Sequence, residues 1–202
     1  MKIGIVDYGA GNLASVSAAF ARLGVFSTIV STAKTIEACE GIVIPGVGAF
    51  RPAMRRLTKL RKPIEDFTSS GRPLLGICLG MQVLFEEGCE GGPCKGLELL
   101  EGKVEKMAAL KLPQVGWNSV ELTRRCELFK GISRGEWFYF VNSFACAPRN
   151  KREVIGVTDY FGEFASVVQK RNVFGVQFHP EKSGRAGQNL LENFAGLVEK
   201  CK

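Results

Sequence analysis

The run GICLG at residues 76–80 constrains the fold of this chain more than any other segment. An apolar stretch precedes it and residues 81–85 continue it, so the segment predicts a strand, a sharp turn and a helix. Cys78 stands at the turn, in the pattern G-x-C-x-G, which is the thiol version of the G-x-S-x-G nucleophile elbow. The flanking glycines leave room for a strained turn that raises the Cys78 side chain into a cleft.

Cys78 is the candidate nucleophile. A helix that begins directly after it would direct backbone N–H groups and the positive end of its dipole at the sulfur, which favours the thiolate. An exposed and activated cysteine is what covalent catalysis requires. The alternative is a buried cysteine that packs as a small hydrophobic residue, as most cysteines do. The elbow pattern favours the nucleophile.

The one histidine of the chain, His179, is the candidate base. It lies in GVQFHPE at residues 175–181, and residues 172–178 predict a buried strand. His179 would therefore lie where the strand ends, because Pro180 cannot continue a β-ladder. Glu181 is placed to orient the imidazole and stabilise its charged form. Either residue alone is more often an ordinary solvated or packed side chain, but the order Cys, His, Glu predicts a catalytic set.

Length and composition predict a single domain over residues 1–202 with a full hydrophobic core, because 46% of the residues are hydrophobic. No apolar run is long enough to span a membrane, and the N-terminus opens on a strand-like segment, so the expected location is the cytoplasm. Seven scattered cysteines without a C-x-x-C motif predict no disulfides in that compartment. With one histidine in the chain, no structural metal and no cofactor are expected.

The formal net charge of +7 raises the question of nucleic-acid binding. The basic residues are spread along the chain, and the densest cluster, at residues 51–62, predicts a helix with a basic solvent face. The charge therefore indicates a solvated surface or an acidic protein partner rather than a nucleic-acid groove.

The alternation of strands and helices predicts an α/β fold with a doubly wound, mostly parallel sheet and helices on both faces. Strands are predicted at residues 2–8, 25–31 and 42–44 and before Cys78, and helices at residues 13–23, 50–61 and 63–70. After residue 95 the segments become short and β-rich, which predicts an added antiparallel section in the C-terminal half. Its strands are predicted at residues 103–107, 117–123, 137–144, 153–159, 164–170 and 172–178, and residues 185–202 predict a closing helix.

Two backbone donors for an oxyanion are predicted beside the elbow. PGVG at residues 45–48 follows the third strand, at the end where parallel sheets bind ligands. Gly46 and Gly48 free the backbone around Val47 to present its N–H, and the N–H of Leu79 would be the second donor. The same glycines would let this strip flip between aligned and misaligned states. The alternative is a plain Gly-rich turn.

A second glycine-rich run, GAGNLA at residues 9–14, matches the dinucleotide fingerprint G-x-G-x-x-G/A. A dinucleotide site also needs an acidic residue at the end of the second strand, where the chain instead has residues 30–32, VST. No acidic residue follows until Glu37. A nicotinamide or flavin site is therefore not predicted.

Five motifs follow one another over nearly the whole chain: DYGAGNL at 7–13, PGVGAF at 45–50, GICLGMQ at 76–82, PQVGWN at 113–118 and QFHPEKSG at 177–184. With Cys78, His179 and Glu181, they resemble the class I, triad-type glutamine amidotransferases. The elbow and the His-Pro-Glu run are shared by many amidotransferases. The complete set more narrowly resembles the glutaminase subunits of imidazole glycerol phosphate synthases.

The resemblance implies a reaction on the side-chain amide of glutamine. The Cys78 thiolate attacks the amide carbon, and the N–H groups of Val47 and Leu79 hold the oxyanion. His179, oriented by Glu181, protonates the leaving ammonia and then activates water. By the same resemblance, the glutamine-binding residues are Gly48, Gln82, Glu90, Ser143 and Phe144.

The resemblance also implies a heterodimer with a cyclase subunit of (β/α)8-barrel fold. Ammonia would pass to that subunit, which forms imidazole glycerol phosphate and an aminoimidazole carboxamide nucleotide in histidine biosynthesis. The implied docking residues are Asn12, Trp117, Tyr139 and Lys182. A lysine that faces an acidic rim of the cyclase would fit the positive net charge.

The chain departs from the family at three positions. Asn142 stands where histidine is common, Phe144 where tyrosine is common, and Gln114 where histidine or another polar residue is frequent. These replacements leave the gating of the glutamine pocket and the response to the partner open.

Three alternatives remain. One is another amidotransferase of the same fold, such as the glutaminase partner in pyridoxal phosphate synthesis, and the opening and PQVGWN motifs argue against it. Another is a stand-alone thiol hydrolase, which would leave an exposed Trp117 unexplained. The third is a binding or regulatory protein with an inactive site, and an intact set of Cys, His and Glu argues against it.

Overall fold

The computed structural model describes residues 1–201 and has a mixed β-sheet at its centre. Its parallel half has the strand order β2-β1-β3-β4-β13. These strands are β1 (Ile3–Val6), β2 (Ser27–Val30), β3 (Gly41–Gly46), β4 (Leu74–Cys78) and β13 (Val173–Val176). Four of them are the predicted strands of the N-terminal half, and β13 brings the predicted strand before His179 to the side of β4.

The sheet continues from β13 into the predicted antiparallel section. Strand β12 pairs antiparallel with β13, β10 with β12 and β7 with β10, and a β8–β9 hairpin joins through β11. The strands of this section are β7 (Leu100–Lys106), β8 (Gln114–Leu122), β9 (Glu136–Asn142), β10 (Phe144–Pro148), β11 (Val154–Asp159) and β12 (Glu163–Lys170). At the far edge, β5 (Phe85–Gly88) pairs in parallel with β7, and β6 (Cys94–Lys95) pairs antiparallel with β5.

Helices cover both faces of the parallel half, as predicted. They are α1 (Leu13–Arg22), α2 (Ala33–Glu37), α3 (Phe50–Leu57), α4 (Arg61–Ser69), α5 (Leu79–Gln82) and α6 (Gly184–Lys200). Helices α3 and α4 bury Met54 and Phe67 against one face, while α1 and α6 bury Phe20 and Phe194 against the other. Successive strand residues point to opposite faces, so each buried strand contributes to both cores. No helix within residues 1–201 is long and apolar enough to cross a membrane.

The structure corrects three details of the sequence-based prediction. The strand predicted at residues 172–178 was expected in an antiparallel hairpin. It pairs antiparallel with β12 on one edge, but its other edge pairs in parallel with β4. The helix predicted over residues 50–61 ends at Leu57 and passes through a 3₁₀ turn into α4. Helix α2 was not predicted, because its single turn shows no periodicity and depends on a capping box between Thr32 and Thr35.

The helix after the elbow is also shorter than expected. The carbonyl oxygens of Val83 and Leu84 accept hydrogen bonds from the backbone N–H groups of Leu97 and Leu99, at 2.7 and 2.9 Å. These tertiary bonds take the place of further helical bonds, so α5 ends after one turn. Phe85, which the sequence placed in the helix, begins strand β5.

The elbow lies directly against the backbone of β3, and two glycines make this approach possible. A Cβ atom at Gly80 would lie far inside van der Waals contact with the carbonyl oxygen of Ile44. A Cβ atom at Gly76 would lie 2.6 Å from the carbonyl oxygen of Gly80. Backbone atoms cannot move aside as flexible side chains can, so a larger residue at either position would displace the elbow.

We expect Gly80→Ala to lower the free energy of unfolding by about 3 kcal/mol, the upper end of ordinary overpacking costs, because the new methyl group meets backbone. Gly196→Ala in α6 is the matched control, since nothing lies within 4 Å of its Cβ position. Alanine there should raise stability by up to about 1 kcal/mol through helix propensity. Urea denaturation followed by circular dichroism measures the free energy of unfolding of both variants. Equal changes in the two variants would contradict the close packing of the elbow.

Candidate active site

The backbone at Cys78 adopts the strained conformation that an elbow requires. Its φ is +55° and its ψ is −114°, a left-handed conformation that non-glycine residues rarely adopt. Cys78 ends β4 and pairs with Gly46 on β3, while Val176 on β13 pairs with Ile77. The cysteine therefore lies at the carboxyl ends of adjacent parallel strands, where α/β sheets bind ligands.

A cavity of about 270 Å³ opens over the Cys78 sulfur. Most of the residues that the sequence analysis selected line it: Val47, Gly48, Cys78, Leu79, Gln82, Glu90, Ser143, Phe144, His179 and Lys182. Glu181 is not in the wall, because it lies behind His179. The structure thus brings together side chains from segments that are more than 130 residues apart, at Val47 and His179.

His179 and Glu181 form a buried hydrogen-bonded pair. The imidazole Nδ1 lies 2.9 Å from the Glu181 Oε1, and the two side chains are 3% and 1% exposed. His179 lines the same cavity as Cys78, and because Nδ1 is engaged by Glu181, Nε2 is the nitrogen left for the sulfur. This is the arrangement of nucleophile, base and orienting carboxylate found in catalytic triads.

The environment of His179 favours its charged form. Burial alone would lower the pKa of the imidazole, but hydrogen bonds to Cys78 and Glu181, together with their negative charges, raise it to about 10. An imidazole with a pKa this far above its ordinary value of about 6.5 holds a proton at neutral pH. The site can therefore hold a thiolate beside an imidazolium, with a proton ready for a leaving group.

The predicted glutamine-binding residues are already fixed by hydrogen bonds. Gln82 Nε2 donates to the carbonyl oxygen of Phe144 at 3.1 Å and to Gln177 Oε1 at 3.0 Å. Glu90 Oε2 accepts from the backbone N–H of Phe50 at 2.8 Å and caps α3 from a distant loop. Gly48 has a φ of +103°, which only glycine adopts without strain. The Gln82 and Glu90 side chains therefore have defined orientations in the cavity wall.

Of the three positions that depart from the family, Asn142 and Phe144 line the cavity, and Gln114 lies opposite Asn142 in the sheet. Gln114 pairs with Asn142 across β8 and β9, and both side chains are buried. Gln114 Oε1 and Asn142 Oδ1 accept no hydrogen bond from any residue within 1–201. Asn142 Nδ2 instead donates to the carbonyl oxygen of Phe144 at 3.2 Å, the same oxygen that Gln82 uses. Asn142 thus holds the backbone of Phe144 in the pocket wall.

The sequence analysis missed two residues of the site, Tyr8 and Gln177. The buried Tyr8 hydroxyl donates to the carbonyl oxygen of Pro45 at 2.7 Å, at the start of the PGVG strip of residues 45–48. Burial and the nearby Cys78 charge raise the pKa of this phenol, so it stays a donor. Gln177 Nε2 lies 3.6 Å from the Cys78 sulfur. Its position two residues before His179 on an extended segment was the available signal, since such residues share a face.

Of the predicted docking residues, Lys182 lines the cavity, whereas Asn12, Trp117 and Tyr139 lie outside it. Trp117 and Tyr139 are cross-strand partners on β8 and β9 with ring centroids 6.2 Å apart, and Trp117 is 51% exposed. Lys182 Nζ lies 5.9 Å from the centre of the Tyr139 ring. Asn12 caps α1 by accepting from the Ser15 N–H at 3.3 Å. The backbone N–H of His179 donates to the Tyr139 carbonyl at 2.9 Å, which joins this surface to the site.

The side chains of the site offer nucleophilic and acid–base chemistry. Within residues 1–201, no group of three or more His, Cys, Asp or Glu side chains could hold a metal ion. All seven cysteines are free thiols.

Comparisons with known proteins agree with this geometry. Residues 4–197 match the family model of class-I glutamine amidotransferases. A protein of Moorella thermoacetica named imidazole glycerol phosphate synthase subunit HisH is 48% identical over 97% of this chain and 95% of its own length. A protein of the same name from Methanocaldococcus jannaschii is 45% identical over 97% of this chain and 100% of its own length.

Solved structures show the same fold at lower identity. A chain in the structure of PurLQS from Thermotoga maritima superposes with a TM-score of 0.79 at 18% identity, covering 96% of this chain and 97% of that chain. A structure described as a glutamine amidotransferase superposes with a TM-score of 0.78 at 19% identity, covering 98% of each chain. These similarities support the mixed α/β fold that the sequence predicts.

Because the chain has a single histidine, its protonation can be followed without ambiguity by NMR of ¹⁵N-labelled protein. A raised pKa means that the His179 imidazole should still be protonated at pH 8, well above the ordinary value of about 6.5. Cys78→Ser and Glu181→Gln each remove one of the two negative charges beside the imidazole, so each should lower the pKa of His179. Titration of the wild-type imidazole near pH 6.5 would contradict the coupled arrangement.

Proposed function

The chain belongs to the class-I glutamine amidotransferases, and from this premise we propose that it is the glutaminase subunit of an imidazole glycerol phosphate synthase. The observation that carries the proposal is that Cys78 and His179 line one cavity at the carboxyl ends of parallel strands, with Glu181 hydrogen-bonded behind His179. The names of its full-length relatives support the choice of synthase. The activity is hydrolysis of glutamine to glutamate and ammonia.

In the proposed first half-reaction, the Cys78 thiolate attacks the side-chain amide carbon of glutamine. A tetrahedral intermediate forms, and the imidazolium of His179 gives its proton to the amide nitrogen as the C–N bond breaks. Ammonia leaves, and the glutamyl group remains on Cys78 as a thioester. Glu181 stabilises the imidazolium and keeps Nε2 directed at the reacting atoms.

In the second half-reaction, His179 acts as a base. It takes a proton from a water molecule, whose oxygen attacks the thioester carbon. The C–S bond then breaks, glutamate is released, and the Cys78 thiolate and the His179 imidazolium are restored. Both tetrahedral intermediates carry an oxyanion that the N–H groups of Val47 and Leu79 would hold, and loss of one such donor typically costs about 10² to 10³ in rate.

The remaining hydrogen-bonding capacity of the pocket matches glutamine. Because both hydrogens of Gln82 Nε2 are used, its free group is an acceptor oxygen, suited to an amide or ammonium N–H of the substrate. Glu90 uses Oε2 for Phe50, which leaves Oε1 for the substrate ammonium. We assign the backbone groups of Gly48, Ser143 and Phe144 to the polar ends of glutamine, since all three line the cavity.

The proposed partner is a cyclase subunit of (β/α)8-barrel fold that receives the ammonia and forms a heterodimer with this chain in the cytoplasm. The docking surface that we assign consists of Asn12, Trp117, Tyr139 and Lys182. Support comes from the exposed aromatic side chain of Trp117 and from the hydrogen bond between His179 and Tyr139. A stand-alone hydrolase would give no reason for a half-exposed tryptophan beside a basic side chain at this position.

Replacing Cys78 by serine separates the two activities. We expect Cys78→Ser to lower glutamine-dependent synthesis by the complex at least about 10⁴-fold, because the nucleophile is lost. Synthesis driven by added ammonium salt should remain near the wild-type rate, since ammonia then bypasses this subunit. Steady-state assays of the reconstituted complex measure both rates.

The control for this experiment is Cys146→Ser, which changes another buried cysteine on β10. It should leave glutamine-dependent synthesis within a few-fold of wild type. Unchanged glutaminase activity in Cys78→Ser would exclude the mechanism, whereas loss of both activities would point to a failure of assembly.

Trp117 should be a central contact of the partner interface. Trp117→Ala is expected to weaken binding to the cyclase by about 2 kcal/mol or more, which is roughly 30-fold in Kd, as for buried aromatic hot spots. Phe26→Ala is the matched control, because Phe26 is 65% exposed and lies before β2, at the opposite end of the parallel strands. Isothermal titration calorimetry measures the Kd of each variant for the cyclase, and equal values for the two variants would exclude this docking surface.

A further inference from the structure

We propose that Gln177 is a catalytic hydrogen-bond donor to the sulfur of Cys78, which stabilises the thiolate and fixes its direction. The consequence for turnover rests on the proposed glutaminase function, whereas the effect on the sulfur itself does not. Gln177 Nε2 lies 3.6 Å from the Cys78 sulfur, and the Gln177 side chain is completely buried.

The fold places Gln177 beside the sulfur for a structural reason. Strand β13 runs parallel to β4, with Val176 opposite Ile77. The residues that follow this pair, Gln177 and Cys78, are therefore neighbours at the ends of the two strands. The backbone N–H of Gln177 donates to the carbonyl oxygen of Ser166 at 2.9 Å, which anchors the residue beyond the end of β13. Cys78 thus has the PGVG strip of residues 45–48 on the side of β3 and Gln177 on the side of β13.

The neighbouring hydrogen bonds determine which end of the Gln177 amide faces the sulfur. The carbonyl oxygen of Phe144 can only accept, so the group of Gln82 that lies 3.1 Å from it must be the Nε2 donor. The same Gln82 nitrogen lies 3.0 Å from the Gln177 side chain, which must therefore present its oxygen there. The Gln177 nitrogen is left to face Cys78 as a donor.

This orientation has a chemical consequence for the thiol. A neutral S–H group can donate to the carbonyl oxygen of Val141, which lies 3.8 Å from the sulfur. A thiolate cannot donate, but it can accept from Gln177 Nε2 and from the His179 imidazolium. Gln177 therefore favours the charged form of Cys78, and hydrogen bonds to a charged group are the stronger ones.

Gln177→Met tests the proposal, because methionine keeps the volume and removes the donor. The readout is the pH dependence of alkylation of Cys78 by iodoacetamide, followed on the peptide that contains Cys78 by mass spectrometry, since six other cysteines are present. We expect the midpoint to rise by about one pH unit, the effect of losing one hydrogen bond to a charged group. An unchanged midpoint in the folded variant would overturn the proposal.

Ser166→Ala is the matched control for a merely structural effect. The Ser166 hydroxyl is fully buried and pairs with the Thr158 hydroxyl at 2.9 Å, on the strand beside Gln177 but away from the sulfur. Its loss should reduce stability and leave the alkylation midpoint in place. An equal shift in Ser166→Ala would show that general loosening of the sheet moves the midpoint, and would overturn the proposal.

A measurement on the wild-type side chain covers the case in which Gln177→Met does not fold. The Gln177 Nε2–H resonances should shift with the same pH midpoint as Cys78 alkylation, and the shift should vanish in Cys78→Ser. Resonances that do not respond to ionisation of Cys78 would overturn the proposal.

Steady-state kinetics separate this proposal from the proposed function. In complex with the cyclase, folded Gln177→Met should show a kcat for glutamine hydrolysis about tenfold lower with little change in KM, because one hydrogen bond to the charged nucleophile is lost. If the wild-type complex does not hydrolyse glutamine, the proposed function fails. The alkylation midpoint still decides the role of Gln177 in that case.

Discussion

The active site depends on the contact between the elbow and the backbone of β3, which glycine alone permits at residue 80. Gly80 lies against the carbonyl oxygen of Ile44, and Gly76 lies against the backbone of Gly80 in turn. This approach holds Cys78 at a φ of +55° and directs its side chain into the cavity. The unfavourable backbone conformation at the nucleophile is thus maintained by packing of the two strands on either side of it.

On each side of the cavity, one hydrogen bond connects the site to a segment that carries a proposed docking residue. On one side, the backbone N–H of His179 donates to Tyr139 on β9. On the other side, the Tyr8 hydroxyl donates to the carbonyl oxygen of Pro45, and Tyr8 lies in the same β1–α1 loop as Asn12. These two bonds give a physical route by which docking of a partner would affect the base and the oxyanion strip separately.

The sequence was sufficient for the parallel core and for the grouping of Cys78, His179 and Glu181, because both depend on local patterns: apolar strands, an elbow motif and a single histidine. It was not sufficient where tertiary hydrogen bonds decide the local structure. Helix α5 ends early because Leu97 and Leu99 bond to the carbonyl groups of Val83 and Leu84 directly after it, and no local pattern contains that information. Gln177 was missed because its partners, Cys78 and Gln82, lie almost a hundred residues away in the chain.

Cys78 is, under the proposed function, a nucleophile held in a pocket shaped for glutamine. The most direct test is treatment of the wild-type chain with a chloroketone analogue of glutamine, in which the thiolate displaces chloride and forms a stable thioether. Peptide mass spectrometry should find one adduct, on Cys78, and an excess of glutamine should prevent it. Labelling of the other cysteines at a similar rate, or labelling of Cys78 that glutamine does not slow, would contradict the claim.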